Sequence, residues 1–358
     1  MSVLLACTGC MGVNTSMLDS STPQGMLSML LAGGSVYLAV GVNCESWVSS
    51  DGKNWTQQGA GIFPSCNSAS GGLLNDVIYA GGQFTVVGRY TSTGGCGIWT
   101  SRDGRGWTAR PCAGINTVLN SITYNSSTGR YIAAGDTDGT TPVCNLQTSV
   151  DGSTWTQITG GPACVAVDSL PAATLVKTGV SSAVFVVSCQ NCGGFTAYVS
   201  SDDAASWPNG ITPGFTASGF LPVGSGSLLA YTNSSPLASY SPDGFTATGN
   251  MSTGLTGMIR GAAYRNSSST IVGVGLGCYL STSTDNGVSF TETTMPGCSG
   301  VDWNTVVANS ATGLLVAGGN LTSGQKETFA YSENGPGGPW TTQTLTNGNN
   351  IYKIAIKP

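Results

Sequence analysis

Apolar residues along this chain fall into short runs separated by Gly, Ser, Thr and Asn, and no stretch keeps a helical period. Asn75-Asp76-Val77-Ile78-Tyr79-Ala80 is one run, and Phe84-Thr85-Val86-Val87-Gly88 is the next. Two more flank a polar turn in Ile98-Trp99-Thr100-Ser101-Arg102-Asp103-Gly104-Arg105-Gly106-Trp107-Thr108. This arrangement predicts four short strands per unit, the last two joined by the turn, and the unit recurs.

The turn motif is Ser-x-Asp, then Gly or a similar residue, then an aromatic. Its copies are Ser49/Asp51/Trp55, Ser101/Asp103/Trp107, Ser149/Asp151/Trp155, Ser200/Asp202/Trp207, Ser241/Asp243/Phe245 and Ser283/Asp285/Phe290. A degenerate seventh is Ser332/Asn334, with Trp340 as its aromatic. From acid to acid the spacing is 52, 48, 51, 41 and 42 residues, then 49 to Asn334. A period of about 40–50 residues with one aromatic motif per unit reads as propeller blades. In each turn the Asp and Ser side chains can accept backbone N–H groups. Gly supplies a positive φ, and the aromatic packs back into the blade.

The pattern resembles the Asp-box (BNR) repeat family, which includes sialidases, some endoglucanases, sortilin-type receptors and a photosystem assembly factor. The resemblance implies an all-β propeller of four-stranded antiparallel blades, here one domain over 1–358. It implies no particular function, since that family mixes enzymes, receptors and assembly factors. In that family the motif lies at the blade periphery, away from the active centre.

The ends bear on the blade count. Ile351-Tyr352-Lys353-Ile354-Ala355-Ile356 looks like the first strand of a blade. LLACTGCMGVNTSMLDSSTPQGM at the start parallels LLAYTNSSPLASYSPDGFTATGNM from Leu228, with Asp19 near the motif position. Eight blades, closed by pairing these two ends, are the preferred expectation, with seven as the alternative.

Composition narrows the function classes. Only 8% of the residues are charged, the net charge is −5, and no basic cluster occurs. That argues against nucleic acid and against an anionic membrane surface. No apolar run reaches the ~20 residues of a membrane span. LLAC in the opening segment looks like a lipobox, without a basic stretch ahead of it. The chain has no histidine, which removes the usual general base and the commonest metal ligand. The seven Asn-x-Ser/Thr sequons matter only where secreted proteins are glycosylated.

The 12 cysteines follow the repeat. Cys44, Cys96, Cys144 and Cys278 each stand five residues before the Ser of their motif, and Cys66, Cys112, Cys164 and Cys298 follow beyond it. The expected disulfides are Cys44–Cys66, Cys96–Cys112, Cys144–Cys164 and Cys278–Cys298, with Cys7–Cys10 and Cys189–Cys192 as local bridges. The last two are C-x-x-C units, whose zinc and redox readings are set below the structural one. Six bridges place the chain in an oxidising, extracellular compartment.

Catalytic candidates are sparse. Sialidases resembling this fold use an arginine triad, a Tyr–Glu nucleophile pair and an Asp acid, and their Arg-Ile-Pro signature is absent here. A glycosidase needs two carboxylates across one bond. The acids outside the turns include Asp19, Asp76, Asp136, Asp138, Asp168, Asp203 and Asp302, of which Asp76 and Asp302 occupy equivalent first-strand positions. Asp136-x-Asp138 is a fragment of a calcium-loop pattern.

No catalytic, cofactor or metal residue is therefore assigned. The expectation is a non-enzymatic, extracellular structural or adhesive propeller at a cell surface. Its partners would be copies of itself, in a filament, sheath or coat, or cell-surface components. The alternative is a glycan-binding module using solvent-facing rings such as Trp47, Trp99 or Trp303. A carbohydrate-active hydrolase ranks third.

Overall fold

The computed structural model describes residues 34–59, 61–137, 144–162, 169–176, 184–191, 196–207, 209–211, 215–224, 226–235, 237–242, 250–324, 326–345 and 349–358. Among them the apolar runs form seven four-stranded antiparallel sheets, and the protein is a seven-bladed β-propeller. Blade 1 holds Ile351–Lys357, Val36–Gly41, Ser46–Ser49 and Thr56–Gln57, from the axis outward. Blade 2 runs Leu73–Ala80, Gln83–Thr91, Gly94–Ser101, Thr108–Arg110. Blade 3 runs Leu119–Asn125, Arg130–Gly135, Leu146–Ser149, Thr156–Gln157, and blade 4 runs Ala173–Val176, Val184–Ser188, Ala197–Ser200, Asn209–Ile211. Blades 5 and 6 begin at Gly219–Val223 and Gly261–Arg265. Blade 7 holds Val301–Ala308, Leu315–Leu321, Lys326–Ser332 and Thr341–Thr344. The first strand of each blade lies beside those of its two neighbours, which closes the ring around a central channel.

The preference for eight blades is corrected to seven. The C-terminal strand does begin a blade, but it pairs with Val36–Gly41, from Val36 against Lys357 to Gly41 against Ile351. It therefore supplies the inner strand of the blade that carries the first Ser-x-Asp turn. Segment 1–33, on which the extra blade rested, lies outside the described residues.

Blades have both faces buried, so their second strands read as unbroken apolar runs rather than alternating ones. Val36, Leu38 and Val40 pack toward blade 2 with Phe84, Val86 and Trp99. Tyr37 and Ala39, pointing the other way, pack toward blade 7 with Val316 and Phe329. Seven apolar layers of this kind fill the seven gaps between blades. Each fully buried large side chain contributes about 1.5–3 kcal/mol.

In five blades a glycine stands at or near the end of the second strand, at Gly41, Gly88, Gly135, Gly275 and Gly319. A Cβ at each would stand 2.0 Å from the carbonyl oxygen of Asn350, Leu73, Val118, Met258 or Asp302, where the inner strand starts. In blades 1, 2, 3 and 7 the pairing register shifts at this point. The residues skipped there in blades 2 and 7 turn toward the next blade: the Asn75 and Asn304 amides donate to the carbonyls of Leu119 and Ile351, each at 2.9 Å.

Gly88→Ala must move the Leu73 carbonyl and is expected to lower stability by about 1–3 kcal/mol. Gly106→Ala, with nothing within 4 Å of its Cβ position, is expected to be near neutral. Urea unfolding midpoints of the two variants measure the difference.

Candidate functional site

The Ser-x-Asp turns join the third and fourth strands, on the face where the inner strands end. In the first turn the Ser49 hydroxyl donates to Asp51 Oδ1 (2.8 Å) and accepts from Gly52 N (2.9 Å), while Asp51 Oδ1 accepts from Lys53 N and Asn54 N, both at 2.8 Å. Gly52 has φ +71°, and the Trp55 indole N–H donates to its carbonyl. The same set recurs at Ser101/Asp103 and Ser149/Asp151. Ser200/Asp202 and Ser283/Asp285 carry one extra residue, so Ser200 and Ser283 accept from Ala204 N and Gly287 N. In the fourth turn Asp203 and Ala204 themselves take positive φ. Ser332 instead donates to the Gly335 carbonyl, and the Trp340 indole donates to Pro336. Ser241 is buried, while Asp243 and Phe245 lie outside the described residues.

The turn aromatics pack back onto their own blades, Trp55 against Tyr37 and Trp155 against Tyr131, and in the same position they fill the gap toward the preceding blade. Trp155 of blade 3 donates its indole N–H to the Gly152 carbonyl at 3.1 Å. Its ring joins the layer that holds Val87 and Ile98 of blade 2. Trp107 and Phe290 sit in the layers toward blades 1 and 5, and Trp207 in the layer toward blade 3. Blades diverge outward from the axis, so the gap is widest near the fourth strand, and a large ring is what closes it. The turn residues are thus spent on the turns and on the seams between blades.

The opposite face carries the disulfides Cys44–Cys66, Cys96–Cys112 and Cys278–Cys298. Each ties the start of a third strand to the loop after the fourth. Cys144 and Cys189 are also disulfide-bonded. Their expected partners Cys164 and Cys192 lie outside the described residues, as do Cys7, Cys10, Asp19, Asp138 and Asp168.

The channel has two unlike mouths. On the disulfide face, where the inner strands start, a hollow of about 480 Å³ is lined by Asn75, Asn120, Thr174, Tyr352 and the charged pair Asp76 and Lys353. On the turn face a hollow of about 570 Å³ is lined by Ile78, Tyr79, Leu221, Pro222, Tyr264, Val306, Val307, Ile354 and Ile356. Outside it, large exposed apolar side chains among the described residues are confined to Val150, Met251 and Val288.

The structure separates the carboxylates that the sequence paired. Asp76 is buried and accepts from the Ser121 hydroxyl (2.9 Å), Ile122 N (3.0 Å) and its neighbour Val77 N (2.9 Å), so it ties blade 2 to blade 3. Asp302 accepts from Gly277 N of blade 6 and is not among the residues lining either mouth. Asp136 accepts from Asn120 and Ser169, and Asp203 pairs with Arg130. A Tyr–Glu contact does occur: Tyr279 donates to Glu292 at 2.6 Å. Burial and that bond raise the Tyr279 pKa, the reverse of what a tyrosine nucleophile needs. Trp47, Trp99 and Trp303, the proposed glycan platforms, are each 0% exposed. They are core residues, because the third strand and the bulged inner strand on which they sit are covered by the preceding blade.

The carboxylates brought together are Glu45 and Glu327, which sequence reading missed. They face each other across the seam between blades 1 and 7. Burial pushes the Glu327 carboxyl up to about 7, with the Glu45 charge adding to the effect. Burial raises Glu45 too, against the amides of Asn349 and Gln57 that donate to it.

No protein-family model matches the chain, and no curated protein sequence matches it. Similarity to solved structures is at the level of fold. A chain of the nidogen–laminin complex aligns with TM-score 0.50 at 9% identity, over 90% of this chain and 98% of that one. U3-55K aligns with TM-score 0.53 at 9% identity, over 78% and 87%. YCF48 bound to D1 peptide aligns with TM-score 0.51 at 14% identity, over 86% and 89%.

The turns predict an acid limit. Backbone N–H groups of Thr154 and Ser153 hold Asp151 at about 2, and the Ser206 hydroxyl and N–H hold Asp202 at about 2. A depressed folded-state pKa gives stability that is complete above the ordinary Asp value and lost as pH falls toward the folded one. Melting temperature is therefore expected to drop between about pH 4 and pH 2, with a shallower drop in Asp151→Asn. Ser149→Ala, which strips the buried Gly152 N–H of its acceptor, is expected to cost about 1–3 kcal/mol by chemical unfolding at neutral pH.

Proposed function

We propose that this chain is a non-enzymatic, extracellular adhesive propeller of the Asp-box type. Its ligand is an extended apolar segment of a protein partner, seated in the turn-face mouth of the channel. The observation that carries this reading is the apolar hollow itself, ringed by Tyr79, Leu221, Tyr264 and Ile356 on a surface with few other large apolar side chains. A concave apolar site with polar surroundings is the usual form of a recognition site. Burial of Trp47, Trp99 and Trp303 removes those three rings as platforms for a glycan. The strands at the blade edges are short, as in Thr56–Gln57 and Thr156–Gln157, so edge pairing between copies has little backbone to use. The disulfides support an oxidising compartment. Two propellers of similar fold were solved with a peptide or a protein partner, YCF48 with D1 peptide and the nidogen–laminin complex.

Selection of displayed random peptides against the oxidised protein tests this. Apolar peptides should be enriched, and their affinity should fall at least about tenfold, or ~1.4 kcal/mol, in Tyr264→Ser with Leu221→Ser. Val150→Ser on the outer surface should leave it unchanged. Equal binding to all variants, or no enriched peptide alongside signals on a glycan array, overturns the reading.

A further inference from the structure

The seam where the ring closes contains a feature that the proposed function does not use. Phe329 of blade 7 stacks on Trp55 of blade 1 with ring centroids 4.0 Å apart and planes 6° apart, and Trp47 packs edge-on against the same ring. Residues two apart on a strand share a face. Glu327 therefore faces blade 1, as Phe329 does, and Glu45, just ahead of the third strand, faces blade 7, as Trp47 does. Both carboxylates lie at the disulfide-face end of this apolar layer.

Glu327 is 0% exposed, and neither of its carboxyl oxygens makes a hydrogen bond of good geometry, although its own backbone N–H and that of Asn349 lie close enough to favour its charge in part. Glu45 Oε2 is likewise buried and unpartnered. The ion pairs among the described residues are elsewhere, at Lys53–Glu333 and Arg130–Asp203. A buried carboxylate with so few donors is costly, and two that face each other favour a proton or a cation between them. The surroundings supply further oxygen donors. Asn43 and Asn349 are bonded to each other at 2.7 Å at the edge of the pair. A pocket of about 370 Å³, lined by Asn43, Glu45 and Gln57, opens beside it on the disulfide face and admits water.

We propose that Glu45 and Glu327 bind a calcium ion that staples blade 1 to blade 7. An all-oxygen set is that of a hard cation. Zinc would draw on nitrogen or sulfur ligands. Calcium accepts six to eight oxygens in irregular geometry, so carboxylates, amide oxygens and waters together suffice, whereas magnesium demands a near-ideal octahedron. Extracellular modules bind calcium with Kd of about 10⁻⁴–10⁻³ M, which suits a chain in the compartment proposed above. The ion would act on the one blade whose strands come from distant parts of the chain.

The test is thermal unfolding of the oxidised, chelator-treated protein at pH 7.5, with and without millimolar calcium, beside calcium titration calorimetry. Calcium should raise the melting temperature by several degrees and bind one ion per chain. Glu45→Gln and Glu327→Gln should each abolish that rise. Each should also melt at or above the calcium-free parent, since the repulsion is gone, which separates loss of the ion from failure to fold. Asp136→Asn, at the other candidate calcium position, should keep the rise. The proposal fails if calcium leaves the parent unchanged, if the rise survives in both glutamine variants, or if magnesium reproduces it in full. It fails equally if the melting temperature depends on pH between 5 and 8 with no calcium effect, because the pair then shares a proton.

Discussion

In five of the seven blades a glycine near the end of the second strand meets the backbone carbonyl near the start of the first at a distance only glycine permits. Blades converge on the axis, so the innermost strand must be drawn in under its neighbour while both faces stay covered. At Gly41, Gly88, Gly135, Gly275 and Gly319 the backbones approach to a distance that no Cβ allows. The bulged register beside them throws Asn75 and Asn304 toward the next blade. Packing of the apolar layers, polarity of the disulfide-face mouth and closure of the ring all follow from how the inner strands are seated there.

Much of this was legible in the chain, and the parts that were not have physical causes. The Ser-x-Asp turns were readable because their chemistry is local: acceptor, donor and positive-φ residue lie within a few positions of one another. The bridges Cys44–Cys66, Cys96–Cys112 and Cys278–Cys298 were readable because they keep the same register as the turns. The strand-end glycines recur with comparable regularity, as in Ala39-Val40-Gly41, Val86-Val87-Gly88 and Ala133-Ala134-Gly135, but a glycine after an apolar pair also reads as an ordinary strand stop. That recurrence was the available signal for the inner-strand geometry.

What could not be read depends on contacts between blades. Trp155 and its counterparts are visible in the motif, but the motif does not say which neighbour their rings meet. Trp47, Trp99 and Trp303 lie outside the turn motifs, and only the preceding blade determines that they are covered. Asp76 and Asp302 are not equivalent, although the sequence spacing suggested that they were: Asp76 follows the bulge at Asn75 and is saturated by blade 3, whereas Asp302 precedes the bulge at Asn304 and bonds back to blade 6. Glu45 and Glu327 stand at opposite ends of the chain and carry no motif. Their juxtaposition follows from ring closure alone, and the blade count was misjudged for the same reason.

That closure also sets an order of events. The strand that completes blade 1, Ile351–Lys357, is the last of the described strands along the chain, while its partner Val36–Gly41 is the first. Turns and disulfide loops span a few tens of residues and can form as each blade is made, but the first blade waits for the last strand. Until then the faces that hold Trp55 and Phe329 have no cover, and the loop to be closed is nearly the whole protein, an entropically slow step. A chain cut short before Ile351 therefore keeps an open, apolar seam beside Val36–Gly41.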